Sequence, residues 1–481
     1  MTRASWTAVL TLAALTDCAA PPPEQRFVND VLAALGGKDT VEAAHVLDLQ
    51  GDGVNYNLGQ DMTPGAATQT FAITGYHRIV DLTAPRMRVE QTRTPQFAYF
   101  QGPQAQTQIL ALDGDVGYNL SPTGASARIS AQAARDRRAE LYHHPLVIAR
   151  AMIAPTAKVA NVRVVGRETA ADVITADGVS LTVFTNSTGV PVRVASDTDH
   201  PNLGDVTIST TFAAYQDVAG LRLPTLLTTR TDDFTTAEIV VKTQSAAADV
   251  PDLSGPANSP PAPVAPAPTV TADVVATGVW FLGGQSHHSV LVEFADHLVL
   301  IESPLSEART LAVIAKAREL VPGKPLTSLV STHHHFDHTA GLRAAIAEGL
   351  TVITQAGNKA FVETMATRPH TRQPDALQKN PKPVTVITVD DALELKDTSR
   401  TMMLYHIAGN PHSATMLMAY LPADKVLIEV DAFSPGAPVQ PYAANLLENV
   451  TARRLKVDRI VPLHGAMAKG EDLAKAVPKT P

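Results

Sequence analysis

His333-His334-His335-Phe336-Asp337-His338 follows directly on Leu326-Thr327-Ser328-Leu329-Val330-Ser331-Thr332. The run from Leu326 to Thr332 reads as a buried strand. Side chains alternate along extended backbone, so His333 and His335 point one way and His334 the other. Asp337 and His338 fall where the chain turns into a helix read over Thr339 to Glu348, facing a second nearby point. Two adjacent ligand sets suit two divalent ions sharing a water. The chain has 16 His and one Cys, Cys18. That excludes an internal disulfide framework, a cysteine zinc finger and a thiolate-bound iron–sulfur cluster, so any metal site is built from nitrogen and oxygen.

Three later strand ends carry matching chemistry. Gly409-Asn410-Pro411-His412-Ser413 precedes an apolar strand, Lys425 to Asp431 is a strand ending in an acid, and Asp458 to Gly465 is a strand ending in His464. In this order the motifs resemble the metallo-β-lactamase superfamily of binuclear metal hydrolases, over roughly residues 270–481. The resemblance implies an αββα sandwich with metals at one edge of its two sheets. It assigns His333, His335 and His412 to a first metal, Asp337, His338 and His464 to a second, and Asp431 as the bridge. Two positions depart from the family pattern: Pro411 precedes His412 where Gly is common, and Glu302 ends the hairpin read over Ser289–Phe294 and Leu298–Glu302, the first of residues 270–481, where Asp is usual. Neither removes a ligand.

Imidazole and carboxylate without thiolate suit two Zn²⁺ per chain, and ligand type alone leaves Fe and Mn open. Two ions about 3.5–4 Å apart lower the pKa of a shared water and supply hydroxide near neutral pH. Asp337 is then the catalytic carboxylate that orients the nucleophile and shuttles a proton. His287 and His288 precede the first hairpin strand and are candidates to overhang the metals and touch substrate. His334 is expected to pack away from the ligands. His143-His144, outside the catalytic half, reads as structural.

Outward from the motif, the strand–helix alternation of 270–481 indicates a layered α/β architecture. Residues 251–269 are proline-rich, which excludes helix and inner strand and suggests a semi-rigid spacer. Residues 24–250 open with a helix over Glu24 to Leu35, stopped by Gly36-Gly37, and continue as strands interrupted by a helical stretch around Ala131–Ala151. This texture resembles the half-open β-barrels of exported lipoprotein-carrier domains. Residues 1–20 carry Arg3 and a ten-residue apolar run, Trp6 to Leu15, the pattern of a signal peptide and too short to span a bilayer. Cys18 at its end resembles a lipobox, with Asp17 where a small residue is usual, and is a candidate lipidation site and membrane tether. The expected location is the periplasm or outer membrane of a bacterium.

Net charge is −8, with 5% aromatic residues, which argues against a nucleic-acid partner. Hydrophobic residues make up 45% of the 481, and the length is enough for two or three cores. His412 and His464 stand too close for the inserted cap of superfamily nucleases, and the segment after His464 is too short for the helical domain of glyoxalase-type thiolesterases. Asp431 replaces the Cys of one lactamase subclass. The reading is an exported hydrolase of a small-molecule ester, lactone or related bond. The alternatives are β-lactam hydrolysis, or an envelope protein that binds a lipid or apolar ligand with the hydrolase domain accessory.

Overall fold

The chain is described by a computed structural model over residues 20–98, 100, 102–247 and 249–478. The address read over residues 1–20, with Cys18, lies outside the described residues except for Ala20. Among the described residues no helix is long and apolar enough to cross a membrane.

The N-terminal unit begins with the helix Pro23–Ala34. The chain reverses at Gly36, where φ is +116° and a Cβ would lie 2.0 Å from the carbonyl oxygen of Gly220, so only glycine fits. Thirteen strands follow in one sheet that stays open, with Ser126–Arg128 and Lys158–Val165 at its two edges. Every pairing is antiparallel, and the first strand, Val46–Asp61, pairs at the centre with the last, Phe234–Ala247. A sheet of this width curls, and helices occupy its inner face. Phe27, Val31, Leu32, Leu146 and Ile148 share one buried core with Leu47, Leu49, Ile73, Val80 and Leu223.

The helical stretch read over Ala131–Ala151 is two helices, Ala131–Leu141 and Pro145–Met152. Pro145 lacks an N–H and is tolerated only in a first turn. Residues 251–269 hold no helix or strand, yet they are not a free spacer. The Gly255 N–H donates to Asp113 Oδ2 at 2.9 Å, Ser259 and Ser126 share a hydroxyl bond of 2.6 Å, and Leu253 is buried. This stretch is tacked to the edge of the N-terminal sheet.

The C-terminal unit stacks a seven-stranded sheet, from Thr271–Ala276 to Val386–Val389, on a six-stranded one, from Ala392–Lys396 to Ala468–Lys469. Val290, Val292, Ile301 and Val330 of the first meet Leu404, Met418, Leu427 and Ile460 of the second in one core. The helices Glu307–Leu320, Leu342–Ala347 and Lys359–Thr367 cover the outer face of the first sheet through Val313, Ile314, Leu342 and Val362. The helix Ala443–Ala452 joins the core through Leu446 and Val450. Helices, two sheets and helices form an αββα arrangement. The single helix read over Thr339–Glu348 is broken into Phe336–Thr339 and Leu342–Ala347 around Gly341, whose N–H donates to Ser303 O at 2.9 Å.

The two units meet along a seam where Leu203 and Val206 join the buried cluster under the outer helices of the sandwich and polar contacts run beside them. Arg368 donates to the carbonyls of Leu203 and Asp205 and to Asp232 Oδ2. Asp205 in turn accepts from the N–H groups of Thr371 and Arg372. The hairpin built from Val46–Asp61 and Thr68–Asp81 reaches past the seam to the sandwich edge, where Ala414 N–H donates to Met62 O at 2.8 Å.

Candidate metal centre

Strands Leu298–Ile301, Leu326–Val330, Val426–Glu429 and Arg459–Pro462 deliver Glu302, His333, Asp431 and His464 from their carboxyl ends to one edge of the sandwich. Two groups of side chains place their ligand atoms within 4.8 Å of one another. One contains His333, His335, His412 and Asp431, and the other His287, Asp337, His338 and His464.

Asp431 is the hub. Its Oδ1 lies 2.8 Å from His464 Nε2, and its Oδ2 lies 3.1 Å from both His412 Nε2 and His338 Nε2 and 3.3 Å from His333 Nε2. One carboxylate therefore touches both groups. Its φ is +56°, a left-handed conformation that costs about 1–3 kcal/mol outside glycine. Burial works against its charge, but the imidazoles of His338 and His464 keep its carboxyl well below the ordinary range. His338 is likewise buried, yet Asp431, Asp337 and Glu302 raise its affinity for a proton well above that of a free imidazole. Buried carboxylates around imidazole form a pocket built for positive charge.

The donor chemistry fits a cation. His335 is fully buried, and its Nδ1 has no hydrogen-bond partner among the described residues. Its Nε2 lies 2.9 Å from the main-chain carbonyl of Asp61. A carbonyl only accepts, so the proton sits on Nε2 and the Nδ1 lone pair is free for a metal. His338 Nδ1 lies 2.9 Å from Glu302 Oε2, which leaves Nε2 to face the group. Nitrogen and oxygen donors of this kind suit Zn²⁺ and equally other divalent ions.

Seven residues assigned to metals from the sequence, His333, His335, Asp337, His338, His412, Asp431 and His464, come together here. His287 and His288 part company. His287 Nε2 stands 3.2 Å from Asp337 Oδ2, and its ring centroid is 3.9 Å from that of His464. His288 instead packs on Phe281 at 4.7 Å and accepts from Gly284 N–H, which takes it out of both groups. Burial pushes its imidazole down to about 4. His334 points away, towards Thr415 and Phe361. His143 is a buried core histidine, bonded to Thr210 and Ser196.

Pro411 is accommodated by a turn in which Asn410 Oδ1 accepts from the N–H groups of His412 and Ser413. Glu302 does more than replace Asp. Fully buried at φ +73°, it accepts from Thr332 N–H and binds His338. Sequence reading missed this role, and it also missed Gln60, whose Nε2 donates to Asp337 Oδ1 at 2.8 Å. An ionisable residue closing the wholly apolar strand Leu298–Ile301 was a signal for Glu302. Gln60 has none, because it lies 277 positions from its partner.

Fold and site together define an αββα sandwich with two adjacent groups of potential metal ligands at the sheet edge. Residues 282–464 match the family model of the metallo-beta-lactamase superfamily, and the C-terminal unit is a domain of that superfamily. No curated protein matches the chain. Among solved structures it is similar to TMB-1, at 18% identity over 44% of this chain and 95% of that one, with a TM-score of 0.33. A metallo-beta-lactamase from Pontibacter korlensis gives 18% identity over 43% and 96%, with a TM-score of 0.33. Rubredoxin oxygen:oxidoreductase from the anaerobe Desulfovibrio gigas gives 19% identity over 43% and 59%, with a TM-score of 0.34.

Proposed function

We propose that the protein is an exported, metal-dependent hydrolase that carries two Zn²⁺ and cleaves a small-molecule ester, lactone or related bond. The observation that carries this reading is Asp431, one carboxylate in contact with histidines of two adjacent ligand groups. His333, His335 and His412 would hold one ion and Asp337, His338 and His464 the other, with Asp431 common to both. Bound there, the ions would supply Lewis acidity and an activated water.

The chain's own groups supply the rest. Asp337 is held between Gln60 Nε2 on Oδ1 and His287 Nε2 on Oδ2. Although burial opposes it, the neighbouring His338 and His287 keep the carboxyl ionised. Held as a carboxylate, it can accept a hydrogen bond at Oδ2 and orient an attacking water there, with His287 beside it. His287 stands within the second group, beside Asp337 and His464, where it would touch a bound substrate. Export, with Cys18 as a lipid anchor in a bacterial periplasm or outer membrane, belongs to this proposal and is supported by the pattern of residues 1–20.

Elemental analysis of the purified chain is expected to give two metal equivalents, and His335→Ala to remove at least one together with hydrolysis. A screen of esters, lactones, thioesters, phosphodiesters and β-lactams identifies the bond. A folded wild-type chain that takes up no metal would sink the proposal.

One observation favours the second reading, binding of a lipid or apolar ligand. A cavity of about 240 Å³ lies at the seam between the units, walled by Leu58, Phe234, Phe336, Phe361 and Met365. It is not inside the N-terminal sheet, whose inner face is filled by helices. An apolar fluorophore that binds the wild type but not Phe361→Arg would support this reading, and equal binding by the two would count against it.

A further inference from the structure

Three consecutive residues of the N-terminal unit rest on three consecutive residues of the run His333–His338, here termed the metal loop. Gly59 lies against the Phe336 ring, and a Cβ there would come within 2.3 Å of it, at a φ of +80° that itself favours glycine. Gln60 Nε2 donates to Asp337 Oδ1 at 2.8 Å. Asp61 O accepts from His335 Nε2 at 2.9 Å. The contact is braced on both sides. Met62 O accepts from Ala414 N–H, close to His412, and Asn202 Nδ2 donates to Phe336 O at 2.9 Å.

These bonds have directions that matter for ligation. Gln60 engages Oδ1 of Asp337 and leaves Oδ2 turned to His287 and His338. The Asp61 carbonyl fixes the His335 tautomer with Nδ1 free. Partners of metal ligands set ring and carboxylate orientation, and their loss commonly weakens metal binding ten- to a hundredfold. A sandwich without the N-terminal unit would retain every ligand and lack both orienting bonds.

We propose that the first hairpin of the N-terminal unit completes the metal centre, with Gln60 as the positioning residue for Asp337 and the Asp61 carbonyl as that for His335. The N-terminal unit is then part of the metal site, beyond any role in placing the enzyme in the envelope. This rests on the reading of the two groups as metal sites.

The test is Zn²⁺ alone, titrated into the metal-free full-length chain against a competing chelator, with Co²⁺ spectra as a second readout. Gln60→Met keeps length and removes the donor. It should weaken one of the two binding steps about tenfold or more, change the Co²⁺ spectrum of that site only, and leave the thermal unfolding of the metal-free protein unchanged. Gln60→Glu, which also lacks the donor, should change the same spectrum. Gly59→Ala should displace the hairpin and weaken both steps. If the wild type binds two ions and Gln60→Met binds both with unchanged affinity and spectrum, this inference is wrong while the hydrolase reading stands. If the wild type binds none, both are wrong. Should Gly59→Ala fail to fold, Gln60→Met decides alone.

Discussion

Glu302 shows how one carboxylate sets the proton of another residue. Its Oε1 accepts from Thr332 N–H at 2.8 Å and its Oε2 binds His338 Nδ1 at 2.9 Å. Burial raises the carboxyl, but His338, with smaller help from His333 and Thr332, keeps it below the ordinary value. An ionised carboxylate accepts and does not donate, so the His338 proton facing it belongs on Nδ1. In Glu302→Gln the amide can still accept from Thr332, but its NH₂ donates to Nδ1 and drives the imidazole proton to Nε2, the atom that faces Asp431. Zinc affinity of the group containing His338 is expected to fall about ten- to a hundredfold, with the other group little changed. Calorimetric titration measures this, and two unaltered binding steps would refute it. At this scale the ligands were legible because a period-two strand and a short turn place His333, His335, Asp337 and His338 by local geometry. The choice between His287 and His288 was not. Alternation says that the two point apart, but which faces the metals depends on where Ser289–Glu293 enters the sheet.

Among the secondary elements, the pair of helices Ala131–Leu141 and Pro145–Met152 is joined through His143 and His144, both buried. The proline that splits them was in plain sight, and its effect is local. Where the helices dock was not readable, because the contacts of His143 with Thr210 and Ser196 lie 67 and 53 positions away. Burial, with a smaller push from Arg78, lowers the His143 imidazole from 6.5 to about 3. Above pH 6.5 neither folded nor unfolded chain binds this proton. As the pH falls below that, the unfolded chain takes it up and the fold does not, so stability declines until the pH reaches about 3. Between pH 7 and pH 5 this one group should cost about 2 kcal/mol. Urea unfolding of wild type and His143→Gln at the two pH values should show the variant losing less by that amount. Equal losses would mean that the histidine is protonated in the fold.

The molecule as a whole depends on a seam that no local pattern announces. The two units were separable in the sequence by texture and by the prolines of 251–269, and that stretch proves to be tacked to the N-terminal sheet. Reading the units as separate gave no reason to expect shared chemistry, because the seam contacts pair residues more than 130 positions apart. Arg368 is central to it. From the sandwich it grips the carbonyls of Leu203 and Asp205 and the carboxylate of Asp232. One residue before Leu203, Asn202 holds the carbonyl of Phe336 in the metal loop. Among the described residues no hydrogen bond or ion pair joins Arg368 to a metal-group residue, yet it anchors the turn that does hold the loop. Loss of its charged hydrogen bonds in Arg368→Ala should destabilise the docked arrangement by about 2 kcal/mol. The zinc-loaded wild type should unfold in a single calorimetric transition, because ligands on one unit are oriented by the other. In Arg368→Ala the N-terminal sheet should melt first, and the zinc step that reports Asp337 should weaken severalfold, less than in Gln60→Met. A variant that keeps one transition at the wild-type temperature and the wild-type zinc affinity would show that the hairpin alone holds the units in register.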